Sequence, residues 1–347
     1  MRARRDVRVL VTGSAGFIGA HLVERLLAND YCVLGIDNLS DYYDVALKHS
    51  RLDRFANQEG YSHRYCNIEN KSDLLQIFGE FRPSLVVHLA AQPGVRSSII
   101  NPDVYVSTNV VGTFNVLESC RAYPVEHLLM ASSSSVYGSS PELPYREDQH
   151  ASHPVSLYGA TKKAAEVMAH SYAHLYRIPI STLRYFTVYG PWGRPDMAPV
   201  IFADALRQDR IIQLFNDGLN QRSFTYISDI IDAMLGLLHR PPPSNSSRES
   251  NRLLAGDSEL GPYRILNVGG SESISTIEFI RLLEQAIGRQ AKLAFLPSQP
   301  GDVPATAADC SSLEAITGTM PRTTIKAGVE EFVSCHTQTI TCKNVPD

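Results

Sequence analysis

Tyr158 and Lys162 stand four residues apart in the sequence Tyr158-Gly159-Ala160-Thr161-Lys162, inside a segment with helical periodicity. Side chains with this spacing lie on the same face of a helix. A tyrosine with its ordinary pKa of about 10 is a poor base at neutral pH, but a neighbouring lysine ammonium favours the phenolate. The pair therefore predicts a general base that takes the proton of a substrate hydroxyl.

A glycine-rich loop joins a predicted first strand, Val7–Val11, to a predicted helix. The loop contains the residues Gly13, Ser14, Ala15, Gly16, Phe17, Ile18 and Gly19. Glycines at such positions permit a tight turn and close approach to a pyrophosphate, whose charge is favoured by the amide groups that begin the helix. Asp37 ends the second predicted strand, where a carboxylate accepts hydrogen bonds from a ribose and repels a 2′-phosphate. These features predict a site for NAD rather than NADP.

A run of four serines, Ser132 to Ser135, follows another predicted strand. In a parallel sheet, ligands bind beyond the carboxyl ends of the strands. We therefore expect the Ser133 hydroxyl to orient the substrate oxygen and to share its proton with Tyr158. The alternative is a polar serine turn without a catalytic role.

The elements that must position these residues follow from the alternation of apolar runs and helical patterns. Strands are predicted at 7–11, 32–36, 84–89, 127–132 and 180–186, and helices at 20–29, 72–81, 103–123 and 157–176. This alternation predicts βαβ units and an α/β fold with a Rossmann-type, doubly wound parallel sheet. We expect an NAD-binding domain at residues 1–190 and a smaller substrate-binding lobe at 191–347, partly interwoven with the first. The Pro- and Ser-rich stretch at 241–262 is predicted to be a surface loop.

Composition excludes several other classes of protein. The 347 residues carry a formal net charge of −4, which does not suit a nucleic-acid surface. No apolar run reaches the length of about 20 residues that spans a bilayer, and no signal-peptide pattern follows the basic N-terminus, so a cytoplasmic location without membrane attachment is expected. The six cysteines are scattered and form no metal-binding pattern, so no metal is expected.

The glycine loop, the serine run, the Tyr158/Lys162 pair and the stretch 184–186 together resemble the extended short-chain dehydrogenase/reductase family. Within it, the chain is similar to bacterial UDP-glucuronate 4-epimerases. The similarity extends over the stretches 37–43, 88–92, 186–197 and 300–304. It implies an extended Rossmann fold, bound NAD, a UDP-sugar substrate and a homodimer formed through the helices near 103–123 and 157–176.

The resemblance also implies roles for individual residues. Ser133, Tyr158 and Lys162 would form the catalytic triad: Tyr158 takes the C4 hydroxyl proton while the C4 hydride passes to NAD, and the hydride returns to the opposite face of the 4-keto intermediate. NAD contacts are expected at Gly13, Ala15, Gly16, Phe17, Ile18, Gly19, Asp37, Asn38, Asn67, Ile68, Leu89, Ala90, Ala91, Gln92, Tyr158, Lys162 and Tyr185. Substrate contacts are expected at Arg96, Ser134, Ser135, Thr187, Arg194, Phe215, Asn216, Arg222 and Asp302.

The choice of sugar depends on a few polar groups. Dehydratases of the family carry an acidic pair where this chain has Ser134 and Ser135, and neutral hydroxyls suit a C6 carboxylate. Thr187 and Arg194 match positions that hold this carboxylate, and an arginine can bind it through two hydrogen bonds. These residues favour UDP-glucuronate and UDP-galacturonate. The alternatives are a UDP-glucose/UDP-galactose 4-epimerase, a UDP-glucuronate decarboxylase, and an NAD-binding scaffold or redox sensor without catalysis.

Overall fold

In a computed structural model, the described residues are 4–243, 254–270, 272–299 and 301–343. The strands are β1 Arg8–Thr12, β2 Cys32–Asp37, β3 Tyr61–Tyr65, β4 Leu85–His88, β5 His127–Ser133, β6 Ile180–Tyr185, β7 Thr187–Tyr189, β8 Ile211–Phe215, β9 Gln221–Tyr226, β10 Tyr263–Val268, β11 Ser273–Ser275 and β12 Lys292–Leu296. The α-helices are α1 Phe17–Leu27, α2 Val45–Asp53, α3 Lys71–Phe81, α4 Ser97–Ile100, α5 Pro102–Tyr105, α6 Thr113–Ala122, α7 Leu157–Tyr176, α8 Ala198–Arg207, α9 Ile227–Leu238, α10 Thr276–Ile287, α11 Ser311–Thr317 and α12 Ile325–Lys343.

The large sheet contains seven parallel strands in the order β10-β6-β5-β4-β1-β2-β3. All residues of β4 and β6 are buried, because helices cover both faces of the sheet. Strand order reverses between β1 and β4, where a crevice opens at the carboxyl ends of the strands. This is the Rossmann-type doubly wound sheet that the alternating pattern predicted, and the prediction of fold class is confirmed.

The second half of the chain contributes a three-stranded sheet, β11-β9-β7, and a parallel pair, β12-β8. It also contributes β10, which pairs with β6 at the edge of the large sheet. The domain division at residue 190 stays a prediction. Of the predicted surface loop at 241–262, residues 244–253 lie outside the described residues. Among the helices in the described ranges, none combines the length and apolar character needed to cross a membrane.

The segment predicted as one helix at 103–123 differs from that expectation. It contains α5, a π-helical stretch at Val106–Gly112, and α6. Within the wider turn, the buried Asn109 side chain donates to the Gln92 carbonyl (3.0 Å) and to Thr161 Oγ1 (3.1 Å). Hydrophobic periodicity did not indicate this change, because a π-turn inserts one residue without altering which side chains are apolar.

Three histidines, of which His88 and His127 are buried and His21 is half-buried, make the stability of this fold sensitive to acid. Burial lowers the pKa of His21 and His127 to about 4 and that of His88 to about 3. The unfolded chain binds protons at about pH 6.5, so the free energy of unfolding is largest above that pH and falls as the pH decreases toward about 4. Each histidine contributes a slope of up to about 1.4 kcal/mol per pH unit.

We expect urea denaturation to give a clearly lower free energy of unfolding at about pH 5 than at about pH 7. His127→Gln should reduce this difference, because it removes one imidazole that bonds Ser181 Oγ (2.9 Å) and the Leu238 carbonyl (3.1 Å). Equal free energies at the two pH values would contradict the prediction.

Candidate active site

A cavity of about 640 Å³ opens at the carboxyl ends of β1, β4, β5 and β6. This volume lies in the range of small-molecule sites. The predicted site residues that line it are Gly13, Gly16, Phe17, Ile18, Gly19, Asp37, Asn38, Asn67, Ile68, Leu89, Ala90, Ala91, Gln92, Ser133, Ser134, Ser135, Tyr158, Lys162, Tyr185, Thr187, Arg194, Arg222 and Asp302. Residues that are distant in the sequence therefore form one continuous wall.

The glycine loop is packed tightly between β1 and α1. A Cβ atom at Gly19 would lie 2.0 Å from the Gly13 carbonyl oxygen, and one at Gly13 would lie 2.7 Å from the Ala90 nitrogen. The Asp37 carboxylate is buried beside this loop and accepts hydrogen bonds from the Ala15 amide (3.1 Å) and the Leu39 amide (2.8 Å). The loop and the acid have the arrangement that a dinucleotide requires.

Thr12 and His88 fix the backbone on the other side of this loop. Thr12 Oγ1 accepts hydrogen bonds from the amides of Leu89 (3.1 Å) and Ala90 (3.0 Å), so its single proton goes to His88 Nδ1 (2.8 Å). His88 then donates from Nε2 to Thr113 Oγ1 (3.1 Å). This network requires a neutral imidazole, in agreement with the lowered pKa of His88.

Helix α7 presents Tyr158 and Lys162 to the cavity. The helix begins at Ser156, whose hydroxyl accepts a hydrogen bond from the Gly159 amide (3.1 Å). Lys162 Nζ is buried and donates to the Ala131 carbonyl at the end of β5 (3.0 Å). Burial lowers the pKa of Lys162 to about 8.

The positive charge that acts on Tyr158 comes from Arg194, whereas the sequence led us to expect Lys162. Burial raises the pKa of Tyr158, and the Ser133 hydroxyl and the positive charge of Arg194 act in the opposite direction. The sequence had assigned this effect to Lys162, but tertiary packing directs the lysine ammonium to a backbone carbonyl. Ser133 lies at the end of β5, where its Oγ donates to Ser135 Oγ (3.1 Å).

A buried ion pair joins α7 to the two strands that end at the site. Glu166 accepts two hydrogen bonds from Arg184 of β6, from Nε and Nη2, each at 2.8 Å. Its Oε1 also accepts from Ser132 Oγ of β5 (2.7 Å). The Arg184 guanidinium lies over the ring of Tyr137, 4.6 Å from its centroid.

Arg194 reaches the cavity but already has a partner. Its Nε and Nη2 atoms donate to the two oxygens of Asp196, at 3.0 and 2.6 Å. Thr187, Ser134 and Ser135 line the cavity with it. The structure therefore brings these four predicted residues to one cavity, and Asp196 holds one edge of the Arg194 guanidinium.

Four predicted contact residues do not line the cavity: Ala15, Arg96, Phe215 and Asn216. Ala15 belongs to the glycine loop, but it is fully buried and its amide bonds the buried Asp37. Asn216 donates to Asn220 Oδ1 (2.7 Å). These residues lie close to predicted contacts in the sequence, and sequence proximity alone did not show which side chains reach the cavity.

Arg96 lies where the two halves of the chain meet. It pairs with Asp302 (3.3 Å) and stacks over Phe215, 4.9 Å from the ring centroid. Arg222 is nearby and donates only to backbone carbonyls among the described residues, those of Gln221 (2.8 Å) and Pro304 (3.5 Å). The guanidinium of Arg222 is thus available for an anion at this end of the cavity.

Several polar side chains of the cavity wall were not predicted from the sequence, among them Tyr42 and Lys48. Lys48 is buried and donates to Ser40 Oγ (3.0 Å), and burial lowers its pKa. The sequence feature that could have indicated Lys48 is its spacing of three residues from Arg51, which places two cations on one face of α2.

Arg51 was missed as well, and it is wholly buried. Its Nη1 atom donates to the Ala15 carbonyl (3.1 Å) and to Tyr43 Oη (2.6 Å). Its Nη2 atom donates to the carbonyls of Trp192 (2.6 Å) and Gly193 (3.3 Å). One guanidinium therefore joins the glycine loop to the loop that carries Arg194.

A buried tyrosine hydroxyl in the cavity wall also fits the binding of a dinucleotide. Tyr185 Oη is buried in the cavity wall and has no hydrogen-bond partner among the described residues. Buried polar atoms normally have a partner, so this hydroxyl is suited to a polar group of a ligand. Within the described ranges, no group of three or more His, Cys, Asp or Glu side chains is arranged to hold a metal ion.

Comparison with known proteins identifies the family. Residues 9–251 match the NAD dependent epimerase/dehydratase family, and the chain belongs to it. The chain is 41% identical over 332 residues to a probable UDP-glucuronate 4-epimerase of Rhizobium meliloti (strain 1021), covering 96% of this chain and 97% of that protein. It is 41% identical over 327 residues to a UDP-glucuronate 4-epimerase of Thermodesulfobacterium geofontis (strain OPF15), covering 94% of each.

The fold is similar to the crystal structure of UDP-glucuronic acid 4-epimerase from Bacillus cereus in complex with UDP-glucuronic acid and NAD. The TM-score is 0.85 at 33% sequence identity, covering 96% of this chain and 100% of that one. The resemblance drawn from the motifs is confirmed.

We expect Gly19→Ala to abolish retention of NAD through purification. The added Cβ would meet the Gly13 carbonyl oxygen at 2.0 Å, so the pyrophosphate loop must shift. Gly288→Ala is the matched control, because no atom lies within 4 Å of its added Cβ and the residue ends α10. The control should keep its NAD and lose about 1–2 kcal/mol of stability for the left-handed backbone. Full NAD retention by Gly19→Ala, measured after acid release, would contradict the assignment.

Proposed function

We propose that this chain is a UDP-glucuronate 4-epimerase, which interconverts UDP-glucuronate and UDP-galacturonate. The observation that carries the proposal is the position of Arg194, whose charge acts on the Tyr158 phenol inside the cavity. A general base and a receptor for a carboxylate thus face the same volume. The family and the names of its relatives support this choice of reaction and substrate.

Gly13, Gly16 and Gly19 would hold the pyrophosphate of NAD, and Asp37 its adenosine ribose. When bound, NAD supplies the acceptor and donor of the C4 hydride. Arg222 is placed to bind the diphosphate of the sugar nucleotide at the opposite end of the cavity.

Tyr158 takes the proton of the C4 hydroxyl, and returns one after the 4-keto sugar has turned its other face to the cofactor. Ser133 bonds the same oxygen and shares the proton. Burial opposes the phenolate, so Arg194 and the positive nicotinamide must stabilise it. Lys162 bonds the Ala131 carbonyl near the end of β5 and would also bond the cofactor ribose.

Arg194, Thr187, Ser134 and Ser135 would hold the C6 carboxylate. A 4-keto uronic acid is a β-keto acid, which loses CO2 when its C5–C6 bond aligns with the ketone π system. Fixed hydrogen bonds to the carboxylate prevent that alignment and favour epimerisation over decarboxylation. Among the described residues, the acidic side chains of the cavity wall are Asp37, Glu69 and Asp302, and the two residues that follow Ser133 are neutral serines.

Purified protein incubated with UDP-glucuronate should give UDP-galacturonate, detected by NMR of the C4 proton, with little CO2. A UDP-pentose with stoichiometric CO2 would establish a decarboxylase instead. Turnover of UDP-glucose but not of the uronate would establish the neutral-sugar alternative, and no turnover of either would favour an NAD-binding scaffold.

Tyr158→Phe should reduce kcat by about 10²–10⁴-fold, the usual contribution of a general base, while NAD stays bound. Tyr65→Phe removes the same hydroxyl from a side chain that is 72% exposed and should leave kcat unchanged. Loss of NAD together with activity in Tyr158→Phe would show that the residue acts on the fold and not on the proton.

We also propose a homodimer formed through the helical segments 97–122 and α7. Apolar side chains stand exposed on both segments, and they are Ile99, Ile100, Val104, Val106, Val111, Phe114, Val167, Leu175 and Tyr176. A concentration of exposed apolar side chains on two neighbouring helical segments is typical of an interface between protein chains. A cytoplasmic location stays a prediction.

Light scattering should give twice the chain mass of 38.3 kDa for the native protein. Val167→Asp should shift the mass toward one chain, because it places a charge in the apolar patch of α7. Ile211→Asp is the matched control, since Ile211 is 64% exposed on β8, outside the patch. A native mass of one chain would contradict the proposal.

A further inference from the structure

Asp196 forms a bidentate ion pair with Arg194. Its two oxygens accept from Nε and Nη2 of Arg194, at 3.0 and 2.6 Å. Tyr42 Oη donates to Asp196 Oδ2 (3.1 Å). A chain of three side chains therefore runs from the loop after β2, through Asp196, to the guanidinium in the cavity.

This contact occupies one edge of a planar group. A guanidinium carries five N–H bonds in a fixed plane, and Asp196 engages two of them along the Nε–Nη2 edge. The two N–H bonds of Nη1 and the second of Nη2 are left for a ligand. Because Arg194 lines the cavity and its charge acts on Tyr158, this second edge is the one available to the substrate.

We infer that Asp196 is a positioning residue that decides whether the reaction ends in an epimer or in loss of CO2. This inference rests on the proposed function. Asp196 fixes the plane of Arg194, and Arg194 in turn fixes the position of the C6 carboxylate, and with it the angle between the C5–C6 bond and the ketone π system. Without Asp196 the guanidinium turns about its side-chain bonds, and the carboxylate is free to move until the C5–C6 bond aligns with that π system.

The backbone of the Arg194 loop is held independently of Asp196. Arg51 bonds the carbonyls of Trp192 and Gly193 from the buried side of the loop. The Asp196 side chain is itself 30% exposed. Replacing it therefore changes the orientation of Arg194 while the loop keeps its support from Arg51.

Tyr42 provides a second and milder way to disturb the same contact. Its hydroxyl lies 2.5 Å from the position of a Cβ at Gly94, so a larger residue there would require the Tyr42 side chain to shift. Removing the hydroxyl leaves the bidentate bond to Arg194 intact. Tyr42→Phe should thus act in the same direction as an Asp196 variant, with a smaller effect.

The test compares Asp196→Ala, Asp196→Asn and Tyr42→Phe with the native holoenzyme on UDP-glucuronate. Epimer is measured by NMR and CO2 by trapping. Loss of CO2 breaks the C5–C6 bond, leaves the electron pair in the enolate of the 4-ketone and takes a solvent proton at C5. The nucleotide product is a 4-keto-pentose when the hydride stays on the cofactor as NADH, and a UDP-pentose when the hydride returns to C4. Mass spectrometry distinguishes the two products.

Asp196→Ala should lower the epimerisation rate on the order of 10-fold, the usual effect of losing hydrogen bonds to a charged group, and raise the CO2-to-epimer ratio several-fold. Asp196→Asn retains one acceptor oxygen and should lie between the native protein and Asp196→Ala. Asp209→Asn is the matched control, because Asp209 pairs with Lys292 on the exposed surface. The control should match the native protein in rate and ratio.

A CO2-to-epimer ratio that stays at the native value in Asp196→Ala overturns the inference, even when the rate falls, because a merely structural role lowers both products together. A raised ratio in Asp196→Ala and Tyr42→Phe, with NAD retained, supports it. Failure of the native protein to epimerise UDP-glucuronate overturns the proposed function, and the inference falls with it. The assay of the native protein thus tests the proposed function, and the assays of the variants test the role of Asp196.

Discussion

The buried ion pair between Glu166 and Arg184 determines how the catalytic elements meet. Glu166 lies on α7, two turns after Tyr158; Arg184 precedes Tyr185 on β6, and Ser132 precedes Ser133 on β5. One carboxylate thus orients three elements that contribute Tyr158, Tyr185 and Ser133 to the cavity wall. Removing one partner of such a pair costs about 3–5 kcal/mol, because the other charge is left buried without compensation. Both oxygens of the Glu166 carboxylate accept hydrogen bonds from the Arg184 guanidinium, so the ion pair fixes the relative orientation of the two side chains as well as their distance.

Arg51 has the corresponding role for the two ligand-binding loops. Its guanidinium is buried and bonds backbone carbonyls of the glycine loop and of the loop that carries Arg194. A shift of either loop would leave N–H groups without acceptors inside the protein, which is costly. The spacing between the cofactor end and the sugar end of the cavity is therefore set by one side chain. Glu166 and Arg51 act on different elements, and together they hold the wall of the site from both sides.

Sequence patterns located the parts of the site that are local. The glycine loop, Asp37, Ser133 and the Tyr158/Lys162 pair all lie next to the end of a predicted strand or in the first turn of a predicted helix. Their placement follows from the strand order, and each lines the cavity. Contacts between distant segments could not be predicted from such local patterns. Tyr42 and Asp196 are 154 residues apart in the sequence, and no periodicity connects them.

The sequence by itself determined the parallel sheet and the chemical types of the site residues, because apolar periodicity and short motifs act within single elements. Tertiary structure decided what those side chains contact. It directed Lys162 to the Ala131 carbonyl, brought the charge of Arg194 toward Tyr158, and placed Asp196 on one edge of Arg194. Hydrogen-bond direction and the electric field at a buried group depend on distances between elements, and those distances exist only in the folded chain.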